Sequence, residues 1–276
     1  MSQEQSAASA QLERLLQIMQ RLRDPDNGCP WDLAQDFRSI APHTLEECYE
    51  VVDAIERDDM AQLRNELGDL LFQVVFYAQL GTERGYFDFA GIADEISTKL
   101  LRRHPHVFPE GSLDATAASV TIGSDQIITN WESIKEQERA AKHGDGSLSA
   151  LEDVPLALGA LSRAAKLQKR AAGQGFDWQD STGVFAKLDE ETQELQDALR
   201  SGSPEAIEEE FGDLLFTLVN LARHLQLEPE TSLRGANRKF ELRFRRMEAA
   251  LHAEGRDMRE LKLSELEARW QQAKRE

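Results

Sequence analysis

The heptapeptide Glu210-Phe211-Gly212-Asp213-Leu214-Leu215-Phe216 nearly repeats Glu66-Leu67-Gly68-Asp69-Leu70-Leu71-Phe72, 144 positions earlier. The same offset carries Glu46-Glu47-x-x-Glu50 onto Glu190-Glu191-x-x-Glu194. Aligned without a gap, residues 44–80 and 188–224 share thirteen identities in thirty-seven positions. The conserved element is an ExxE…ExxD arrangement of acids, so the chain is read as two copies of one unit, each with its own carboxylate site.

A chain of 276 residues accommodates two domains, and each half is long enough to bury a core. The expected boundaries are a first domain over 1–110, a partly helical linker over 111–149 and a second domain over 150–276. Net charge is −18, which argues against a broad nucleic-acid-binding surface or attraction to anionic membranes. Phosphate ligands remain compatible, because bound cations invert the local sign. Cys29 and Cys48 make neither a disulfide framework nor a zinc pattern. The polar opening MSQEQSAASA lacks the apolar core of a secretory signal, and the apolar stretches near Leu70–Leu80 and Leu214–Ala222 are too short to span a bilayer. A cytoplasmic protein is the expectation.

Apolar residues recur at helical spacing over 12–23, 90–103, 156–172, 231–254 and 264–275, and 125–142 reads as a helix carrying Trp131 and Lys135. No segment alternates with period two, so the predicted class is all-α. The first acidic helix begins at His43-Thr44, where Thr44 and Glu47 fit a capping box that competes for Glu47. In the second copy, Ser181 or Thr182 is the expected N-cap, which leaves Glu191 beyond capping range. Asp58 or Asp59 starts the following helix in the first copy; Ser203, with Pro204 behind it, does so in the second. Gly68 and Gly212 lie in mid-helix, where glycine costs about 1 kcal/mol relative to alanine. Their recurrence predicts a close helix approach beside the acids, and the LLF that follows is expected to be core. His104 and His106 flank Pro105 and invite a metal reading, but they lie just past a helix end, where histidine suits the negative end of the dipole, and the dipole reading is preferred.

Glu191 and Glu194 share one helical face, as do Glu210 and Asp213, and likewise Glu47 with Glu50 and Glu66 with Asp69. Short connections make each pair of helices antiparallel neighbours. Four converging carboxylates repel unless compensated, and hard divalent cations are the natural compensation: Mg2+, with Mn2+ as a substitute. A carboxylate-bundle di-iron site would need Glu-x-x-His, whereas both second motifs end in Asp. Mg2+ retains positions for substrate phosphates, which points to phosphoryl chemistry.

Gly28-Cys29-Pro30-Trp31-Asp32, the paired ExxE…ExxD motifs with GDLLF, Arg102-Arg103-His104-Pro105-His106-Val107-Phe108, Asn130-Trp131-Glu132-x-Ile134-Lys135 and Gly175-Phe176-Asp177-Trp178 together resemble the MazG family over residues 11–276. The resemblance implies tandem all-α helical-bundle domains, a homodimer, and hydrolysis of nucleoside triphosphates to monophosphate and diphosphate. It implies Mg2+ on Glu191, Glu194, Glu210 and Asp213, with the second domain as principal catalyst. Lys239 and Arg243 would hold the triphosphate. Lys187, Glu190, Trp270 and Lys274 would complete the nucleotide pocket, with Lys135 entering from the connecting helix and Glu190 orienting water. Gln35-Asp36-Phe37-Arg38-Ser39-Ile40 departs from the family's usual Gln-Thr-His-x-Ser-Leu. Two rival readings are a narrower pyrophosphohydrolase for dUTP, dCTP or phosphoribosyl-ATP, and a nucleotide-sensing helical protein without turnover.

Overall fold

The structure, a computed structural model, describes residues 3–115, 123–143 and 149–275. Among these residues there is no strand, and no helix is long and apolar enough to cross a membrane. The chain divides into two compact units, residues 1–142 and 143–276.

The first unit holds α1 (Gln3–Leu22), the short α2 (Pro30–Leu33), α3 (Phe37–Glu56), α4 (Met60–Glu83), α5 (Phe89–Arg103) and nearly all of α6 (Ser124–His143). Helices α3 and α4 form an antiparallel hairpin, with α1 and α5 packed on α4. Asp59 starts α4 by accepting the Gln62 amide. The core consists of Met19, Ile40, Val75, Phe76 and Leu80, bordered by Phe37, Phe72 and Tyr77. The buried Arg23 closes one end: it pairs with Glu83 at 2.6 Å and lies 5.3 Å over the Phe76 ring.

Helix α3 begins six residues before the predicted start. Asp36 caps it, accepting the amides of Arg38 and Ser39 while the Ser39 hydroxyl takes the Asp36 amide. Thr44 is therefore inside the helix, with its hydroxyl 3.3 Å from the Ile40 carbonyl and 2.9 Å from the Tyr77 hydroxyl. The competing capping box at Thr44 and Glu47 does not form. The departure at Asp36 from the family's Thr is thus one N-cap residue in the place of another.

The second unit holds α7 (Ala160–Ala172), α8 (Ser181–Ser201), α9 (Pro204–His224), α10 (Pro229–Ala253) and α11 (Leu263–Ala273). Helices α8 and α9 repeat the hairpin; α7 packs on α9 and α10, and α11 on α10. Asp180, not Ser181 or Thr182, caps α8, whereas Ser203 caps α9 as predicted. Gly202 ends α8 at φ 71°, a left-handed position that favours glycine. Val184, Ala198, Val219, Met247, Leu251 and Ala273 are buried.

Two expectations about the repeated heptapeptide are corrected. A Cβ added at Gly68 or Gly212 would meet nothing within 4 Å, so neither glycine serves a close approach. Leu71, Leu215 and Phe216 remain substantially exposed, and the buried positions come later, at Val75, Phe76 and Val219.

Helix α6 is clamped to the end of α5. Glu138 accepts from Arg103 at 2.5 Å and from Arg102 at 2.6 Å. Arg103 first, and then Arg102, hold the Glu138 carboxyl down to about 2 from its ordinary 4.5, against the opposing effect of burial. A carboxyl depressed in the folded state contributes stability above its ordinary value and loses that contribution as pH falls towards the folded value. Hydrogen-exchange protection of α6 is therefore expected to fall between pH 4.5 and about 2. Glu138→Gln should show the lowered protection at pH 7, and unchanged protection in that variant would contradict the clamp.

Candidate metal centre

Each hairpin brings carboxylates from its two helices together. In the second unit, Glu191 and Glu194 on α8 meet Glu210 on α9, with one oxygen of each within 4.8 Å of the others. In the first, Glu47 on α3 meets Glu66 and Asp69 on α4 by the same measure. Like charges this close raise one another's pKa. Burial, then Glu194, Glu191 and Asp213, push the Glu210 carboxyl up. Burial, then Asp69 and Glu66, push up Glu47. Glu66, by its charge, is the main cause that raises Glu50. Asp213, which helps to raise Glu210, and Glu50, which Glu66 raises, thus lie beside the two clusters rather than among the three closest acids.

The two copies differ in which acid is buried. Glu191 is 4% exposed in the second, and Glu66 is 4% exposed in the first. Lys187, one turn before Glu191, bridges it and Glu190 at 2.8 Å each. Those two carboxylates, Glu190 foremost, raise the Lys187 pKa. At the equivalent place in the first copy stands His43, whose Nδ1 is 3.6 Å from Glu46. Glu66 is supported instead by a short hydrogen bond from the Gln62 side-chain amide. Neither His43 nor Gln62 stood out in the sequence, although the 144-residue offset places His43 opposite Lys187 and Gln62 precedes Glu66 by one helical turn.

The donor set suits a hard cation. It is all carboxylate oxygen, its members repel one another, and Glu191 Oε2 is buried without a hydrogen-bond partner. Such an oxygen is costly unless a ligand satisfies it.

The cationic residues lie elsewhere in the same unit. Lys239 is exposed and Arg243 half-buried on α10. Phe240, between them, brings α11 against α10 through Trp270, with ring centroids 5.2 Å apart. The Lys274 ammonium is 6.0 Å from the Trp270 ring. Lys239, Arg243, Trp270 and Lys274 are thus gathered along α10 and α11. Among the described residues, no hydrogen bond or ion pair joins these four to the α8–α9 acids. Lys135 lies on α6 of the first unit, 4.0 Å over the Trp131 ring.

Comparison with known proteins agrees with this geometry. The MazG nucleotide pyrophosphohydrolase domain model matches residues 35–108 and again 179–246, each match spanning one acidic hairpin. The chain is 52% identical, over 96% of its length and 98% of the relative's, to the nucleoside triphosphate pyrophosphohydrolase of Escherichia coli strain K12. It is 41% identical, over 95% of each chain, to the nucleoside triphosphate pyrophosphohydrolase/pyrophosphatase MazG of Thermotoga maritima. With its domain present twice and its near-complete match to these relatives, the chain belongs to the MazG nucleotide pyrophosphohydrolase family.

Proposed function

We infer that the chain hydrolyses nucleoside triphosphates between the α and β phosphates, with the α8–α9 carboxylates as the catalytic centre. The observation that carries this is the convergence of Glu191, Glu194 and Glu210 together with the unpartnered buried Oε2 of Glu191. The names of the 52% and 41% identical relatives, both nucleoside triphosphate pyrophosphohydrolases, support the substrate class.

Glu191, Glu194, Glu210 and Asp213 would hold Mg2+, or Mn2+ in its place; Glu47, Glu50, Glu66 and Asp69 form the corresponding set in the first unit. When bound, such an ion neutralises triphosphate charge and polarises the phosphoanhydride. The chain's own contribution is positioning and proton handling. Lys239 and Arg243, one turn apart on α10, would bind phosphate oxygens. Trp270 steadies Lys274 on α11 through its ring face. Lys187 fixes the Glu190 carboxylate at 2.8 Å, where it would orient a water and accept its proton. The water oxygen bonds to phosphorus, the bridging P–O bond breaks, and nucleoside monophosphate and diphosphate leave. A cytoplasmic location fits this reading, since both nucleoside triphosphates and Mg2+ are held there.

Self-association has its own support. Phe211, Leu215 and Leu218 form an exposed stripe at i, i+4, i+7 on α9, and Leu67 and Leu71 begin the same stripe on α4. A homodimer would cover these faces, and sedimentation equilibrium of the intact chain should show twice the chain mass; a monomer at every concentration would exclude it.

Replacing Glu210 and Asp213 together by Ala should lower diphosphate release from nucleoside triphosphates by at least about 100-fold, the scale of losing an electrostatic contact in the transition state. Circular dichroism should show unchanged helicity, and wild-type turnover in this variant would sink the assignment. Glu210→Gln alone should raise the melting temperature of chelator-treated protein, because one repelling charge is gone. It should also shrink the rise produced by Mg2+; an undiminished rise would remove Glu210 from the site.

A further inference from the structure

The segment that leads into each acidic helix, the short α2 in the first unit and a turn in the second, carries a tryptophan whose side chain stays half-open. Trp31 is 54% exposed and Trp178 is 47% exposed. Both lie on the approach to the acids. The Trp31 ring meets the His43 ring edge-on at 6.1 Å, and His43 in turn reaches Glu46, the neighbour of the site residue Glu47. In the second unit the Trp178 indole lies against the first turn of α8, where a Cβ added at Gly183 would come within 2.8 Å of Cε3. Gly183, Lys187 and Glu191 follow at i, i+4, i+8, so the indole and the buried acid are separated by about 12 Å along the helix. Side chains on a helix lean towards its N-terminus, so Glu191, Lys187 and the indole succeed one another along α8. An extended nucleoside triphosphate, with its phosphates at the acids, spans this interval.

The platform is held in place. Asp177, the residue before Trp178, takes a two-pronged bond from Arg223 and another from His224 at 3.1 Å. The Trp178 amide returns 2.9 Å to the Asp177 carboxylate. An indole seated against a glycine and still about half exposed suits the stacking of a base. Trp270, by contrast, already has Phe240 and Lys274 at its ring.

We propose that Trp178 is the base-stacking platform of the second carboxylate site, with Trp31 in the equivalent place of the first. This rests on the nucleoside triphosphate reading. The test is calorimetry on the full chain in Mg2+ with two probes, the non-hydrolysable α,β-methylene ATP and inorganic tripolyphosphate, which has no base. Trp178→Ala should weaken binding of the nucleotide about 10-fold and leave tripolyphosphate unchanged. Trp178→Phe should retain most of the nucleotide affinity. Gly183→Ala, which displaces the indole without removing it, should shift affinity in the same direction as Trp178→Ala. Equal weakening of both probes, no weakening of either, or a nucleotide-specific loss in Trp270→Ala but not Trp178→Ala would overturn the proposal. Diphosphate release from ATP by the wild type separately tests the underlying reading, because the binding comparison decides Trp178 whether or not turnover occurs.

Discussion

Repulsion among carboxylates is the constraint on which the rest of this protein depends. In each half, two antiparallel helices hold three acids with oxygens within 4.8 Å of one another, an arrangement no helical hairpin would keep for its own stability. The hairpin tolerates it because the rest of each unit braces the helices: α1 and α5 against α4, and α7 against α9. On the proposed reading, a divalent cation satisfies the acids themselves. Glu191 makes the point most directly, with one oxygen on Lys187 and the other buried and unpaired.

The halves share this constraint but answer it differently. Around the second cluster stands a lysine that pairs with both Glu190 and Glu191, and the same unit carries Lys239, Arg243, Trp270 and Lys274 along α10 and α11. The first cluster has a histidine in the lysine's place and an amide from Gln62 on its buried acid. Both copies keep the ExxE…ExxD acids, but the three that converge differ: Glu47, Glu66 and Asp69 in the first, Glu191, Glu194 and Glu210 in the second. Such a pair is well suited to division of labour, with turnover in one half and binding in the other.

Much of this was legible in the sequence because the repeat fixed which residues had to stay together. ExxE and ExxD spacing puts both acids on one helical face whatever the tertiary packing, so the clusters could be anticipated without knowing the fold. The helix starts were harder. Thr44-x-x-Glu47 and Asp36-x-x-Ser39 are both plausible caps, and only the packing of Phe37 and Ile40 against the α4 core decides for Asp36. The glycines misled for a related reason: Gly68 and Gly212 face open space within the chain, so their recurrence has no intrachain packing cause. Apolar composition likewise identified α4 and α9 as largely hydrophobic, but it did not separate Val75 and Val219, which are buried, from Leu71 and Leu215, which are exposed. That distinction depends on which sides α1 and α7 occupy, and sequence periodicity says nothing about it.

The central claim, that both carboxylate clusters hold divalent cations and that the second supports turnover, is tested most directly by an electron paramagnetic resonance titration with Mn2+. Wild type, Glu66→Gln and Glu191→Gln should be compared, with diphosphate release measured on the same samples. The account predicts two classes of bound Mn2+ in the wild type. Loss of one class should accompany Glu66→Gln with turnover retained, and loss of the other should accompany Glu191→Gln together with loss of turnover. Unchanged Mn2+ binding in both variants would contradict it.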